Sequence, residues 1–98
     1  MEILKKRDGD TLKIALEGRL DTSTAPSLEE ALKKELSGVA DLEFDFEKLE
    51  YISSAGLRVL LSTQKIMNTQ GTMKLKNVCP EIMEVFDITG FSEILTIE

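Results

Sequence analysis

The chain has no histidine. That absence excludes every Ser-His or Cys-His nucleophile pair and every His-ligated metal site. There is one cysteine, Cys79, so no disulfide can close within the chain and no thiolate cluster can hold a metal. Val78 and Pro80 beside it suggest a buried, inert thiol. Aromatics make up only 5% of the residues, so Leu, Ile, Val, Phe and Met must fill the core. Positive charge is outnumbered: 12 Lys and Arg face 18 Asp and Glu, giving a net charge of −6. An acidic chain with no basic stripe repels a phosphate backbone, which argues against nucleic acid as a direct partner. No long apolar run follows Met1–Arg7. Neither a secretory signal nor membrane insertion is expected, and the expected location is cytoplasmic. No Gly-rich phosphate loop is present, and no cofactor is implied.

What remains is enough for one globular domain. The 98 residues are 42% hydrophobic and carry no repeat, linker or low-complexity segment. Asp8-Gly9-Asp10 sits between two apolar stretches and predicts a hairpin. In the second stretch, Thr11 to Gly18, Leu12, Ile14 and Leu16 alternate with Lys13, Ala15 and Glu17, the period of a half-buried strand. The first strand is expected at an edge. A loop through Gly18-Arg19-Leu20-Asp21 leads to a helix that Ser23 or Thr24 can cap, with Pro26 in its first turn and Gly38 as its stop. Leu28, Ala31, Leu32 and Leu36 form its apolar stripe. Asp21 reads equally as a turn residue and as part of a site.

Val39 to Phe46 alternates again, and a strand reached through a crossover helix is expected to run parallel to the Thr11 strand. Glu47–Glu50 reads as a short connection, with Tyr51 and Ile52 anchored inside. Asp45 is expected at the strand's C-terminal end, where open sheets bind ligands and partners. A long helix then runs from about Ser54 to Thr69. Leu57, Leu60, Leu61 and Met67 form its main stripe, while Val59 and Ile66 fall on nearly the opposite side. That second side is either buried or shown to a partner, and Arg58 is expected to face solvent. Thr72–Val78 reads as a strand, Pro80 opens a short helix, and Phe91 to Ile97 is expected to close the chain as a strand. The order is ββαβαβαβ: an α/β domain with a mixed, mostly parallel sheet of about five strands and helices packed on it.

Tyr51-Ile52-Ser53-Ser54-Ala55-Gly56-Leu57 joins the third strand to the long helix through small residues. A serine here can cap the helix. Its hydroxyl is equally well placed to carry a phosphate, since a first helical turn offers unpaired N–H groups and a positive dipole end. A hydrolytic role for Ser54 finds no support: there is no histidine, no Gly-x-Ser-x-Gly elbow and no lysine beside it in sequence. The chain is therefore not expected to be an enzyme.

Over nearly its whole length the sequence resembles the STAS-domain anti-sigma factor antagonist family of bacteria. The resemblance rests on the order of elements, on Gly18-Arg19-Leu20-Asp21 with Thr24-Ala25, on Leu42-Glu43-Phe44-Asp45-Phe46, on Tyr51–Leu57, and on Gly90-Phe91. The family's usual motif is Asp-Ser-Ser/Thr-Gly-Leu. Matched residue by residue, its aspartate falls on Ser53, its phosphorylated serine on Ser54, its third residue on Ala55 and its glycine on Gly56. The resemblance implies phosphorylation at Ser54, with Ser53 as second choice, and Asp21 and Asp45 as neighbours. It implies a partner surface made of Asp21, Ser53, Ser54, Ala55, Gly56, Arg58 and Val59. The implied partner is an anti-sigma factor that is often a serine kinase; binding it releases a sigma factor, and phosphorylation reverses this. A PP2C-type phosphatase is compatible with the cycle. Serine in place of the usual aspartate at position 53 leaves an alternative: a STAS subunit of another assembly, such as a lipid-transport accessory or a stress-signalling complex, with no phospho-switching.

Overall fold

The computed structural model describes all 98 residues. The elements run β1 (Glu2–Asp8), β2 (Thr11–Leu20), α1 (Ala25–Glu35), β3 (Asp41–Ile52), α2 (Ser54–Gln70), β4 (Thr72–Lys76) and α3 (Pro80–Thr89), followed by a 3₁₀ turn at Phe91–Glu93. The sheet order is β1-β2-β3-β4; β1 pairs antiparallel with β2, and the other two pairings are parallel. Gly9 lies at φ +63°, in the left-handed region that lets Asp8 and Thr11 pair across the two-residue turn.

Alternation decides the layers. Leu12, Ile14 and Leu16 of β2, Leu42, Phe44 and Phe46 of β3, and Met73 and Leu75 of β4 are all buried on one face of the sheet. Leu28, Leu32 and Leu36 from the first helix and its C-cap, Leu57, Leu60 and Met67 from α2, and Ile82 and Phe86 from α3 join them in a single core. The other face is polar. Lys6, Asp8, Thr11, Lys13, Asp41, Glu43, Lys74 and Lys76 surround a shallow basin of about 470 Å³ with no apolar lining. No helix is long and apolar enough to cross a membrane.

Three expectations need correction. The closing strand is absent, so the sheet has four strands instead of about five. Gly90 takes φ +82°, and Ile94 and Leu95 donate back to the Phe91 carbonyl, coiling the segment before it can extend. Only Thr96–Glu98 reaches β4, as a single parallel bridge between Ile97 and Leu75. Second, Glu47–Glu50 is strand, not connection: β3 runs on to Ile52 because Leu49 and Ile52 each supply a core side chain. Two register shifts against β2, between Ala15 and Glu17 and between Gly18 and Arg19, absorb the extra residues. Third, Cys79 is only half-buried, with its Sγ 3.9 Å from the Leu49 carbonyl oxygen.

Candidate functional site at the start of α2

β2 and β3 end together. Leu20 pairs with Ile52, and the Ser53 N–H donates to the Leu20 carbonyl at 2.9 Å, so sheet pairing continues to the residue before α2. Strand passes to helix with no intervening loop. Ser53 is the N-cap: its backbone is extended (φ −98°, ψ 174°), and its hydroxyl accepts the Gly56 N–H at 3.4 Å. Ser54, first residue of the helix, is exposed, and its hydroxyl makes no hydrogen bond within the chain. The two readings open for this serine, cap or free acceptor, therefore separate onto neighbouring residues.

Gly56 holds the joint closed. A Cβ at this position would lie 2.7 Å from Leu20 Cγ and 2.9 Å from Ile52 Cγ1, well inside van der Waals contact. Only glycine lets the first turn of α2 rest directly on the ends of both strands. Ala55 beside it is half-buried.

Asp21 organises the neighbouring turn. Its Oδ1 accepts from the Ser23 hydroxyl at 2.7 Å, the Ser23 N–H at 3.0 Å and the Thr24 N–H at 3.1 Å. The Ser23 hydroxyl bond is the main cause holding the Asp21 carboxyl below the usual carboxylate range, against a smaller opposing effect of burial. Thr24 completes the turn: its hydroxyl accepts from the Asp21 N–H and donates to the Arg19 carbonyl, both at 2.8 Å. Asp21 Oδ2 lies on the other side, 3.9 Å from Arg19 Nε.

Arg58, one turn beyond Ser54, is exposed and has no ion-pair partner. Val59 is different. It is 5% exposed and belongs to the core, so its expected place on a partner surface is withdrawn. The second side of α2 divides: Val59 and Thr63 are buried, whereas Ile66 remains 43% exposed. With Leu32 and Leu36, Ile66 lines a cleft of about 260 Å³ between α1 and α2. Asp45 is also displaced from the site. Because β3 continues for seven residues beyond it, Asp45 lies up to about 20 Å before the strand's end at the usual rise. There it accepts from the Asn77 side chain at 3.0 Å.

One pair was missed from sequence. Arg19 and Tyr51 lie opposite each other in the register, and the Arg19 Cζ sits 4.1 Å from the centre of the Tyr51 ring. Tyr51, expected inside, is 41% exposed. Reading Glu47–Glu50 as a connection places Tyr51 and Ile52 inside together; because β3 runs on as strand, only Ile52 faces the core and Tyr51 projects from the opposite face.

These features define a two-layer α/β domain whose accessible site lies where two parallel strands meet a helix start. The chain belongs to the STAS domain family, whose sequence profile matches residues 2–98. It is 32% identical over 93 residues to the anti-sigma-B factor antagonist of Bacillus subtilis, covering 94% of this chain and 85% of that one. The anti-sigma-B factor antagonist of Listeria monocytogenes is 32% identical over 98 residues, covering 97% and 85%. Among solved structures, an anti-sigma factor antagonist from Mycobacterium paratuberculosis superposes with a TM-score of 0.88 at 21% identity, covering 98% of this chain and 83% of that one. The anti-sigma factor antagonist SpoIIAA in its unphosphorylated form gives 0.79 at 20% identity, covering 99% and 87%. SpoIIAA in its phosphorylated form gives 0.78 at 20%, covering 99% and 91%.

Proposed function

We propose that this chain is an anti-sigma factor antagonist: a binding protein, not an enzyme, that docks an anti-sigma factor through the start of α2 and is released when Ser54 is phosphorylated. The observation that carries the reading is the division of labour between the two serines. Ser53 caps the helix, so Ser54 presents an exposed hydroxyl that packing and hydrogen bonding leave free. The relatives named as antagonists support the same reading.

The chemistry follows from position. In the kinase reaction the Ser54 oxygen attacks the γ-phosphorus of ATP, ADP departs and the hydroxyl proton is lost. The phosphoserine carries about −1.5 to −2 charges at neutral pH. In the free protein the N-terminal dipole of α2 offsets part of that charge. Against a docked partner, the same charge must lose water and meets a chain already at −6. Since the strand–helix joint is fixed by Gly56 and by Ser53–Leu20 pairing, release requires no refolding; the change is local to the interface. A PP2C-type phosphatase would restore the binding form.

The test is direct. The purified chain is incubated with an anti-sigma factor kinase of its host and ATP, and the product is mapped by peptide mass spectrometry. Phosphate is expected on Ser54 and absent in Ser54→Ala, which still binds; Ser54→Asp is expected to bind more weakly. If Ser54→Asp binds as tightly as the wild type, the charge switch is wrong. Serine at position 53, where the family usually has aspartate, favours one second reading: a STAS subunit of another assembly that is never phosphorylated. Recovery of an unmodified chain with a transport or stress-signalling complex would select it.

A further inference from the structure

We infer that Arg19 and Tyr51 form a preorganised anchor for the partner, in which Arg19 receives a carboxylate of the anti-sigma factor while the Tyr51 ring takes an apolar side chain beside it. This rests on the function proposed above and adds two residues to its surface.

The pair is set where it is by a backbone irregularity. Leu20 and Ile52 are cross-strand partners and both point into the core, at 0% and 4% exposure. The preceding pair, Arg19 and Tyr51, therefore projects from the opposite face of the sheet. Gly18, at φ +101°, accompanies the register shift that aligns them. Bulges of this kind re-aim side chains beside functional sites. Here the shift sets a guanidinium opposite a phenol ring at the strand ends, two residues before Asp21 and Ser53.

Their exposure is the second observation. The Arg19 side chain is 60% exposed, and Tyr51 is among the few large apolar side chains left outside the core. A bare aromatic ring gains little for the free domain. Arg19 lies over it at 4.1 Å and touches Asp21 Oδ2 only loosely, at 3.9 Å. No side-chain hydrogen bond uses the guanidinium, so its N–H donors remain free for a planar acceptor, which a carboxylate matches with two parallel bonds. Tyr and Arg are also the residues that most often carry binding energy at interfaces. Stacked on each other, both are partly ordered before docking, which lowers the entropy lost on binding.

A purely structural role is the competing account: a cross-strand pair that only stiffens the sheet. The two accounts predict different readouts. The full chain and its Tyr51→Ala, Arg19→Ala, Arg19→Glu and Tyr51→Phe variants would be titrated against purified anti-sigma factors of the host by biolayer interferometry. Thermal melting of each free variant would run in parallel. The anchor predicts that Tyr51→Ala and Arg19→Ala each weaken binding at least about tenfold, mainly through faster dissociation. Arg19→Glu should lose more than Arg19→Ala, and Tyr51→Phe should stay near wild type. Binding within twofold of wild type for both alanine variants overturns the anchor while leaving the proposed function standing. Tighter binding by Arg19→Glu overturns the carboxylate assignment. If the wild-type chain binds none of these factors, the proposed function falls and the anchor falls with it. Should Tyr51→Ala fail to fold, Arg19→Glu, at a largely exposed side chain, decides the matter alone.

Discussion

The Ser53 hydroxyl accepts the Gly56 N–H at 3.4 Å and so caps the helix that carries Ser54. At that length the bond is weak, and removing it should cost little. Ser53→Ala is expected to lower stability by about 0.5–1 kcal/mol, the low end for an N-cap. Ser53→Asp restores the residue usual in the family, keeps a capping oxygen and adds a negative charge at the positive end of the dipole. It should raise stability by about 0.3–1 kcal/mol at low salt. Urea unfolding at two ionic strengths checks both, since only the charge contribution fades with salt.

Gly56→Ala tests the tight joint. The added methyl would overlap Leu20 and Ile52, forcing strand ends and helix apart. Overpacking typically costs about 1–3 kcal/mol, and alanine's better helix propensity returns up to about 1. A net loss of about 1–2 kcal/mol is expected, with a larger loss for Gly56→Val. An unchanged urea midpoint in both variants would show that the joint is looser than described.

Asp21 ties stability to acid pH. Its folded-state pKa lies below the ordinary carboxylate value, chiefly because of the Ser23 hydroxyl bond. A depressed carboxyl stabilises above its unfolded pKa, and that contribution is lost as pH falls through the lower folded value. Asp21→Asn keeps an acceptor oxygen but removes the charge. It should be less stable than wild type at pH 6, with the difference closing in strong acid. Parallel melting curves down the acid range provide the measurement.

On the helix-free face, Lys76 Nζ donates to Glu43 Oε1 at 2.7 Å, and Lys13 approaches the other carboxylate oxygen at 3.9 Å. The hydrogen bond and charge of Glu43 raise the Lys76 pKa above 10.5. The associated stability is present below the unfolded lysine value and disappears as pH rises through the raised folded one. Glu43→Gln should return the Lys76 titration toward the ordinary range, read by NMR at its side-chain carbons. Lys13→Gln should move it much less.

The period-two runs in β2 and the first half of β3, and the stripes of α1 and α2, were legible because each is a direct imprint of burial on residue type. The parallel pairing followed from the crossover helix. Legibility failed where backbone geometry interrupts periodicity. The charged run Glu47–Glu50 interrupts the period of two and so reads as a connection after Phe46 with Tyr51 and Ile52 inside, whereas register shifts let it continue as strand with Leu49 and Ile52 inward and Tyr51 outward. The helix angle leaves the Val59 side open to burial or to a partner, and packing from the rest of the fold decides for burial at Val59. The coil after Gly90 defeated an apolar pattern that suits a strand as well as it suits a turn. For the site, the Tyr51–Leu57 stretch marked the position of the helix start. It did not say which of two adjacent serines would cap, since that depends on whether Ser53 keeps an extended backbone.

The loopless passage from β3 into α2 has a calorimetric consequence. A docking segment that must first become ordered adds its own burial and ordering to the heat of association, seen as an enlarged negative heat-capacity change and a slow, concentration-independent phase. Here pairing with Leu20 has already fixed the backbone at Ile52 and Ser53, and the Leu57 N–H closes the first turn of α2 on the Ser53 carbonyl. Encounter should therefore be single-phase, with a heat capacity set by the contact area alone. Partner selectivity then lies in the shape and charge of a rigid surface, so substitutions there should act by exchanging one side chain for another, not by altering how readily the segment folds.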